Sequence, residues 1–75
     1  MTDPIYILRH AFETESLCSV FGFDGLRETL PQLDPGLYMI RDGRSDVGLA
    51  ERHSNGHWFI DMYNGIKAEP GAIIV

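Results

Sequence analysis

Two histidines four residues apart, His53 and His57, are the side chains in this chain best suited by type to bind a metal ion. On a helix this spacing would bring both imidazoles to one side. Here Asn55-Gly56 lies between them, a dipeptide typical of a two-residue β-hairpin turn. Such a turn places the two histidines on opposite faces, and no cysteine pair is present to complete a zinc site. We therefore expect no metal and no other cofactor.

Cys18 is the one candidate nucleophile, and a histidine would be its base. It stands beside Leu17 and Val20, where a lone thiol is more often a small core residue than a catalytic one. Two glutamates, Glu13 and Glu15, lie in the same segment, but nothing in their spacing specifies a catalytic carboxylate pair. These residues therefore predict no active site.

A phosphate-binding loop is also excluded. Gly22 and Gly25 are close together, but the lysine and the following serine or threonine of such a loop are missing. The remaining glycines have simpler roles in turns. We expect no catalytic residue, and we interpret the protein as non-enzymatic.

The bulk composition limits the partners. With 75 residues the chain has room for one domain, residues 1–75, and 44% hydrophobic residues suffice for a core. Its formal charge of −5 repels phosphate backbones on average, so direct nucleic-acid binding is not expected. Acidic domains more often meet basic partners, or simply stay soluble.

The compartment is predicted from what the chain lacks. One cysteine excludes an internal disulfide, which favours a reducing cytosol. The first residues, Met1-Thr2-Asp3-Pro4, resemble neither a signal peptide nor a membrane span. We expect a cytoplasmic protein with no membrane contact.

The N-terminal half predicts a strand and short helices. Residues 5–8 are β-branched, aromatic or apolar and form a first strand that runs to Arg9 or His10. Residues 11–20 fit a short helix, although whether that helix forms stays open. Asp24 is the expected N-cap of a helix over 25–33, with Leu26, Leu30 and Leu33 on one side; Pro31 would shorten or kink it.

The C-terminal half predicts an antiparallel meander. Asp42-Gly43, Asn55-Gly56 and Asn64-Gly65 are hairpin dipeptides, and apolar runs lie between them. Sequential strands usually pair with their neighbours. The expected fold class is α+β: an N-terminal strand and one or two short helices packed on a C-terminal meander of four to five strands.

The hairpin at Asn55-Gly56 also predicts which residues share a face. A two-residue turn pairs His53 with Trp58 and Leu49 with Met62. One face, interpreted as the core, then holds Val47, Leu49, Trp58, Ile60 and Met62. The other holds Gly48, Ala50, Arg52, His57, Phe59, Asp61 and Tyr63. The turn at residues 42–45 leaves open whether Leu37 and Met39 or Tyr38 and Ile40 join the core.

The second face has two interpretations. In one, other elements cover it and Arg52 lies over Phe59. In the other, Arg52, Phe59, Asp61 and Tyr63 form a contact surface, since interfaces are enriched in aromatic residues and arginine. The acidic residues Asp42, Asp46 and Glu51 complete the candidate protein-binding set.

The final apolar residues, 72–75, also have two interpretations. They pair inside the sheet, or they form an edge strand that adds to another sheet. The second arrangement would give a homodimer or a strand-paired complex, so the protein is expected to be a monomer or a homodimer.

A resemblance rests on three segments of the meander: Pro35-Gly36-Leu37-Tyr38, Arg41-Asp42-Gly43 and Asn55-Gly56-His57-Trp58-Phe59-Ile60. They look like parts of small accessory proteins of phages and mobile elements, and the chain's size and acidity resemble the anti-CRISPR group. That resemblance implies a protein of the bacterial host cell's cytoplasm that binds a host defence complex and inhibits it. It carries no motif residue by residue and so assigns no functional residue.

The sequence therefore predicts a non-enzymatic, protein-binding inhibitor whose partner is a host protein or protein complex that handles nucleic acid. A small-molecule site or minor enzyme on the face of Arg52, Phe59, Asp61 and Tyr63 is one alternative. A structural homodimer through the C-terminal strand is another.

Overall fold

The structure is a computed structural model that describes residues 3–74, with the side chains of residues 73 and 74 excepted. The elements in chain order are β1 (Ile5–His10), β2 (Cys18–Phe21), α1 (Gly22–Thr29), a 3₁₀ helix (Leu30–Gln32), β3 (Gly36–Asp42), β4 (Ser45–Arg52), β5 (Trp58–Met62), β6 (Lys67–Glu69) and β7 (Ala72–Ile74).

All the strands described join one antiparallel sheet in the order β2-β1-β3-β4-β5-β6-β7. From β3 to β7 each strand pairs with the next one along the chain. The predicted C-terminal meander is confirmed, with five strands. The predicted first strand forms, but it lies inside the same sheet, between β2 and β3, instead of packing on the meander. With seven strands and one short α-helix the described chain is mostly β, so the predicted α+β layout is correct only in part.

The segment 11–20 contains no helix. It forms a loop followed by β2, which pairs with β1 from Leu8↔Cys18 to Ile5↔Phe21. Within β2 the burial alternates: Val20 is buried, whereas Phe21 is 71% exposed. The segment is too short for its apolar pattern to distinguish a helix from a strand, and pairing with β1 selects the strand.

The helix predicted over 25–33 begins earlier and ends in a different form. α1 spans Gly22–Thr29, and its N-cap is Phe21 with no side-chain hydrogen bond. Asp24 is therefore not the cap. It lies in the first turn, where a carboxylate interacts favourably with the helix dipole, and its side chain is 3.5 Å from that of Arg27. Pro31 lies in the 3₁₀ helix that follows α1. Proline has no backbone N–H to donate to an α-helical hydrogen bond, so the α-helix does not continue through it.

The helices cover one side of the sheet, the covered face. Leu26 and Leu30 are fully buried, as predicted, and Leu33 packs against them. The buried cluster consists of Leu8, Val20, Leu26, Leu30, Tyr38, Ile40, Ala50, Trp58, Ile60, Met62 and Ala68. All its strand residues point to the covered face, so that side of the sheet carries the core.

The β3–β4 turn settles which residues of β3 join the core. Asp42 pairs with Ser45, so the loop is Gly43-Arg44, with a positive φ of 65° at Gly43. Glycine at the first of two loop positions is the pattern of a type II′ turn. Tyr38 and Ile40 consequently lie in the core, and the register then shifts between Ile40 and Arg41. Val47 is the extra residue of this β-bulge.

The predicted β4–β5 register is wrong by one residue. His53 pairs with His57, and Arg52 pairs with Trp58. The Gly56 amide donates to the His53 carbonyl at 3.1 Å and Gly56 has φ 95°, so the turn has three residues and ends in a glycine bulge.

The corrected register changes which residues of β4 face the core, whereas the residues of β5 face the sides that were predicted. Trp58, Ile60 and Met62 lie in the core, as predicted. Gly48, Ala50 and Arg52 join them on the covered face, and Leu49 turns to the opposite side with Phe59. A change of one residue in loop length has therefore exchanged the two faces of a whole strand.

The C-terminal strand β7 pairs with β6 inside the sheet and is its last strand in the described part of the chain. Residue 75, the end of that predicted strand, lies outside the described residues. Because β7 is also an edge, the homodimer through it stays a prediction. Within residues 3–74, no helix has the length and apolar character needed to cross a membrane.

Candidate functional site

The side of the sheet opposite the helices, the open face, carries apolar side chains that the described residues do not cover. Strand alternation places seven of them there: Ile5, Ile7, Phe21, Leu37, Met39, Leu49 and Phe59. Ile5 is 52% exposed, and Leu37, Met39, Leu49 and Phe59 are half-buried, whereas every core residue on the covered face is nearly inaccessible. An apolar sheet face of this kind is a common mark of an interaction surface.

Phe59 lies at an acidic end of the open face. Its cross-strand neighbour on β4 is Glu51, and the β5–β6 register brings Glu69 to its other side. Asp61 follows two residues along the same strand and therefore on the same face. A shallow depression of about 170 Å³ lies against Leu49, Glu51, Phe59 and Asp61. The arrangement is an aromatic ring flanked by the carboxylates of Glu51, Glu69 and Asp61, with Lys67 directly across from Asp61 on the same face.

The histidines beside this depression lie together rather than on opposite faces, which corrects the prediction. The ring centroids of His53 and His57 are 6.0 Å apart. Each imidazole meets a different carboxylate: His53 Nε2 is 3.3 Å from Glu51 Oε2, and His57 Nε2 is 3.7 Å from Glu69 Oε2. Each nitrogen is thus directed to its own partner. Among residues 3–74, no three histidine, cysteine or acidic side chains are grouped to hold a metal ion.

A second site, which we term the tyrosine cleft, lies where the β3–β4 and β5–β6 turns meet. Two tyrosines (Tyr6 and Tyr63), two aspartates (Asp42 and Asp46) and two apolar residues (Val47 and Met62) line it, and its volume is about 280 Å³. Burial, and then the charge of Asp42, raise the pKa of the Tyr6 phenol, so this hydroxyl keeps its proton at neutral pH.

The β-bulge at Val47 builds the tyrosine cleft. The Val47 carbonyl accepts a hydrogen bond of 2.9 Å from the Tyr63 amide, which fixes the end of β5 against β4. The next turn is held by Asn64, whose side-chain oxygen accepts from the Ile66 amide at 3.1 Å. The extra residue in β4 therefore turns Asp46 and the adjacent β5 end toward one opening.

The seven predicted binding residues fall into three places. Glu51, Phe59 and Asp61 share the open face. Asp42, Asp46 and Tyr63 share the tyrosine cleft.

Arg52 belongs to neither site. It lies on the covered face, where its guanidinium donates to the His53 carbonyl and, at 3.4 Å, to that of Pro31. It does not lie over Phe59, so the structure does not bring Arg52, Phe59, Asp61 and Tyr63 together as one ligand site.

Sequence reasoning missed part of both sites. The sequence predicts Tyr6 only as a strand residue, but it lines the tyrosine cleft. It predicts Leu49 in the core, but Leu49 lies on the open face. The exposed apolar residues of the β1–β2 hairpin were also missed, above all Phe12, which is 94% exposed, and Phe21. The signal for Phe21 was present: in a two-residue alternation Val20 faces inward, so Phe21 has to face outward.

The β1–β2 loop that carries Phe12 is held by an arginine. Arg9 Nη1 donates to the carbonyls of Ala11 and Glu13 at 3.2 and 3.1 Å, and its Nη2 lies 3.7 Å from Asp46 Oδ2. The same guanidinium therefore connects this loop with an aspartate of the tyrosine cleft.

Comparison with protein-family models, with curated proteins and with solved structures finds no match for the chain.

Proposed function

We propose that the protein is a non-enzymatic binding module that uses the open face to bind a basic protein surface. The observation that carries the proposal is the contrast between the two sides of the sheet. One is closed by the helices, while the other keeps Phe59, Leu49 and their apolar neighbours accessible around the acidic residues Glu51 and Asp61. Aromatic residues at the centre of a patch, surrounded by polar groups, are the usual energetic core of protein interfaces.

Charge identifies the class of partner. The chain carries −5 overall, and Phe59 is flanked by Glu51 and Glu69, which meet only histidines among the ion pairs of residues 3–74. Asp61 faces Lys67 across the β5–β6 pair, so the acidic character is concentrated on the Glu51 and Glu69 side of the ring. A partner with an apolar pocket ringed by lysine or arginine complements this surface.

The partner in this proposal is a component of a nucleic-acid-handling defence complex, and the protein acts as its inhibitor. Surfaces that hold phosphate backbones are rich in lysine and arginine. A small acidic domain that occupies such a surface would exclude the nucleic acid.

The proposal predicts that Phe59→Ala weakens binding about 30-fold, because loss of a central aromatic residue typically costs about 2 kcal/mol or more. The tagged wild-type protein would capture its partner from a bacterial lysate that expresses a defence complex. Binding of the purified partner, and its nucleic-acid binding, would then be measured with each variant across a range of salt concentrations. We expect stoichiometric, salt-sensitive binding that displaces nucleic acid.

The matched control is Phe12→Ala, which removes the same phenyl ring from the β1–β2 loop, where Phe12 is almost fully exposed. This variant should bind as the wild type does. If Phe12→Ala abolishes binding and Phe59→Ala does not, the open face around Phe59 is not the interface. Failure to bind any component of such complexes would reject the inhibitor proposal.

A further inference from the structure

The tyrosine cleft has a size and chemistry that suit one cationic side chain. Its volume of about 280 Å³ is just below the range of roughly 300–1,000 Å³ typical of small-molecule sites. Its lining, in the part of the chain that the structure describes, combines two aspartates and two tyrosines with Val47 and Met62 and includes no lysine or arginine. The cleft is therefore acidic and aromatic, with an apolar component.

The two carboxylates differ in their availability. Asp46 pairs with Arg9, 3.7 Å away, whereas Asp42 has no cationic partner within 4.0 Å among residues 3–74. Asp42 nevertheless lies close enough to Tyr6 to raise the pKa of its phenol, after the larger effect of burial. A negative charge thus stands beside a partly buried aromatic ring without a cation of its own.

A guanidinium group can interact with both the unpaired carboxylate and the aromatic ring. Its planar fork binds a carboxylate through two parallel hydrogen bonds, and its face stacks on aromatic rings. An ammonium group matches the charge but has neither the planar fork nor the stacking face. The aliphatic part of an arginine side chain would lie along Val47 and Met62.

We propose that the tyrosine cleft is a binding site for an arginine side chain of the partner protein, held by Asp42 and stacked on Tyr6 or Tyr63. This inference rests on the proposed function for the identity of the partner, but the cleft binds the guanidinium group through its own residues. It supplies a second contact, at the end of the sheet away from the His53–His57 turn.

The test is a titration of the ¹⁵N-labelled protein with N-acetyl-arginine amide, followed by two-dimensional NMR. We expect saturable shifts confined to the amides of the β3–β4 and β5–β6 turns. N-acetyl-citrulline amide, the uncharged isostere, should give no saturable shifts, and N-acetyl-lysine amide should bind more weakly. Asp42→Asn should weaken arginine binding about tenfold, because it removes the charge-assisted hydrogen bonds.

The control variant is Glu28→Gln, which removes one negative charge from the exposed side of α1, away from the cleft. It should leave the affinity unchanged. Tyr63→Ala is a second cleft variant with little risk to folding, because Tyr63 is 59% exposed, and it should weaken binding. Three results would each overturn the proposal: amide shifts spread over the neighbourhoods of many carboxylates, equal effects of Asp42→Asn and Glu28→Gln on the affinity, or absence of saturation.

The two proposals fail in different ways. If the partner complex binds the Asp42→Asn variant as tightly as the wild type but loses Phe59→Ala, the cleft proposal is wrong and the open-face proposal stands. If N-acetyl-arginine amide binds in the cleft and no partner protein is found, the guanidinium site is supported and the inhibitor proposal is rejected.

Discussion

Tyr38 is the largest fully buried side chain of the described residues, and it brings a hydroxyl group into the core. The hydroxyl donates to the Asp34 carbonyl at 2.5 Å, so the buried polar group is satisfied. His10 packs against the ring with the centroids 4.8 Å apart. One residue therefore connects β3, the core and the turn that follows the 3₁₀ helix.

Burial gives Tyr38 a pH-dependent role. Desolvation first, and then the charge of Asp34, raise the pKa of its phenol above the ordinary value. The folded protein therefore holds this proton more tightly than the unfolded chain does. The resulting stability is complete below the unfolded pKa of about 10 and is lost as the pH rises through the folded pKa.

We predict that Tyr38→Phe lowers the free energy of unfolding by about 1 kcal/mol at neutral pH, because one hydrogen bond is lost. Above pH 10 the variant should lose stability less steeply than the wild type. Urea unfolding between pH 7 and 11 measures both effects. Tyr63→Phe, at an exposed phenol, is the control. Parallel pH profiles for wild type and Tyr38→Phe would contradict the assignment.

At the scale of elements, β4 approaches β5 closely because Gly48 has no side chain. A Cβ added there would lie 2.9 Å from both the Asp61 carbonyl oxygen and Met62 Sδ. The contact involves backbone as well as side chain, so small rotamer changes would not relieve it. Gly48 thus allows Met62 to pack in the core next to the bulge that builds the tyrosine cleft.

We predict that Gly48→Ala destabilises the protein by about 1–3 kcal/mol, as overpacking of a core typically does. Gly36→Ala is the matched control, since its added Cβ would meet nothing nearer than 3.9 Å and its φ is not positive. Chemical denaturation monitored by Trp58 fluorescence distinguishes the two. Equal midpoints for both variants would show that the β4–β5 approach is looser than the distances indicate.

The positions of most elements could be predicted from the sequence alone. The three glycine dipeptides located the first three of the four hairpins of the meander, and the spacing of Leu26, Leu30 and Leu33 located the helix that covers it. These signals are local, since a glycine in a turn or an apolar stripe depends on few other residues.

The site was harder to predict because it depends on register. Asn55-Gly56 fits a two-residue or a three-residue turn, and only packing of the whole sheet selects between them. The wrong choice placed Leu49 in the core and Arg52 on the face opposite the helices. The tyrosine cleft was beyond local reasoning, because Tyr6 meets Asp42 only through the pairing of β1 with β3.

At the scale of the whole molecule, most strand pairing is between neighbours, but β1 is an exception. It pairs with β3 over sequence separations from 28 residues (His10↔Tyr38) to 36 residues (Tyr6↔Asp42), with β2 and both helices in between. Closing a loop of this length costs conformational entropy, which opposes folding.

We predict single-exponential refolding in the range of milliseconds to seconds, as for other small β-sheet proteins that must close a non-local strand pair. Trp58 is the only tryptophan and is 6% exposed, so stopped-flow fluorescence reports on the core directly. Substitution of Ile7 by valine should slow folding if β1 docks in the transition state and speed unfolding if it docks later. Refolding within microseconds would contradict the dependence on distant pairing.

The interior position of β1 has a consequence during synthesis. Its apolar residues leave the ribosome before β3, whose pairing residues run from Tyr38 to Asp42. β2 can pair with one edge of β1 early, but until β3 is made the other edge of Ile5-Tyr6-Ile7-Leu8 is unpaired, and an unpaired segment of high β-propensity is the kind on which aggregation begins. Asp3 and Pro4 before it and Arg9 after it are the kinds of residue that limit such association until β3 is available.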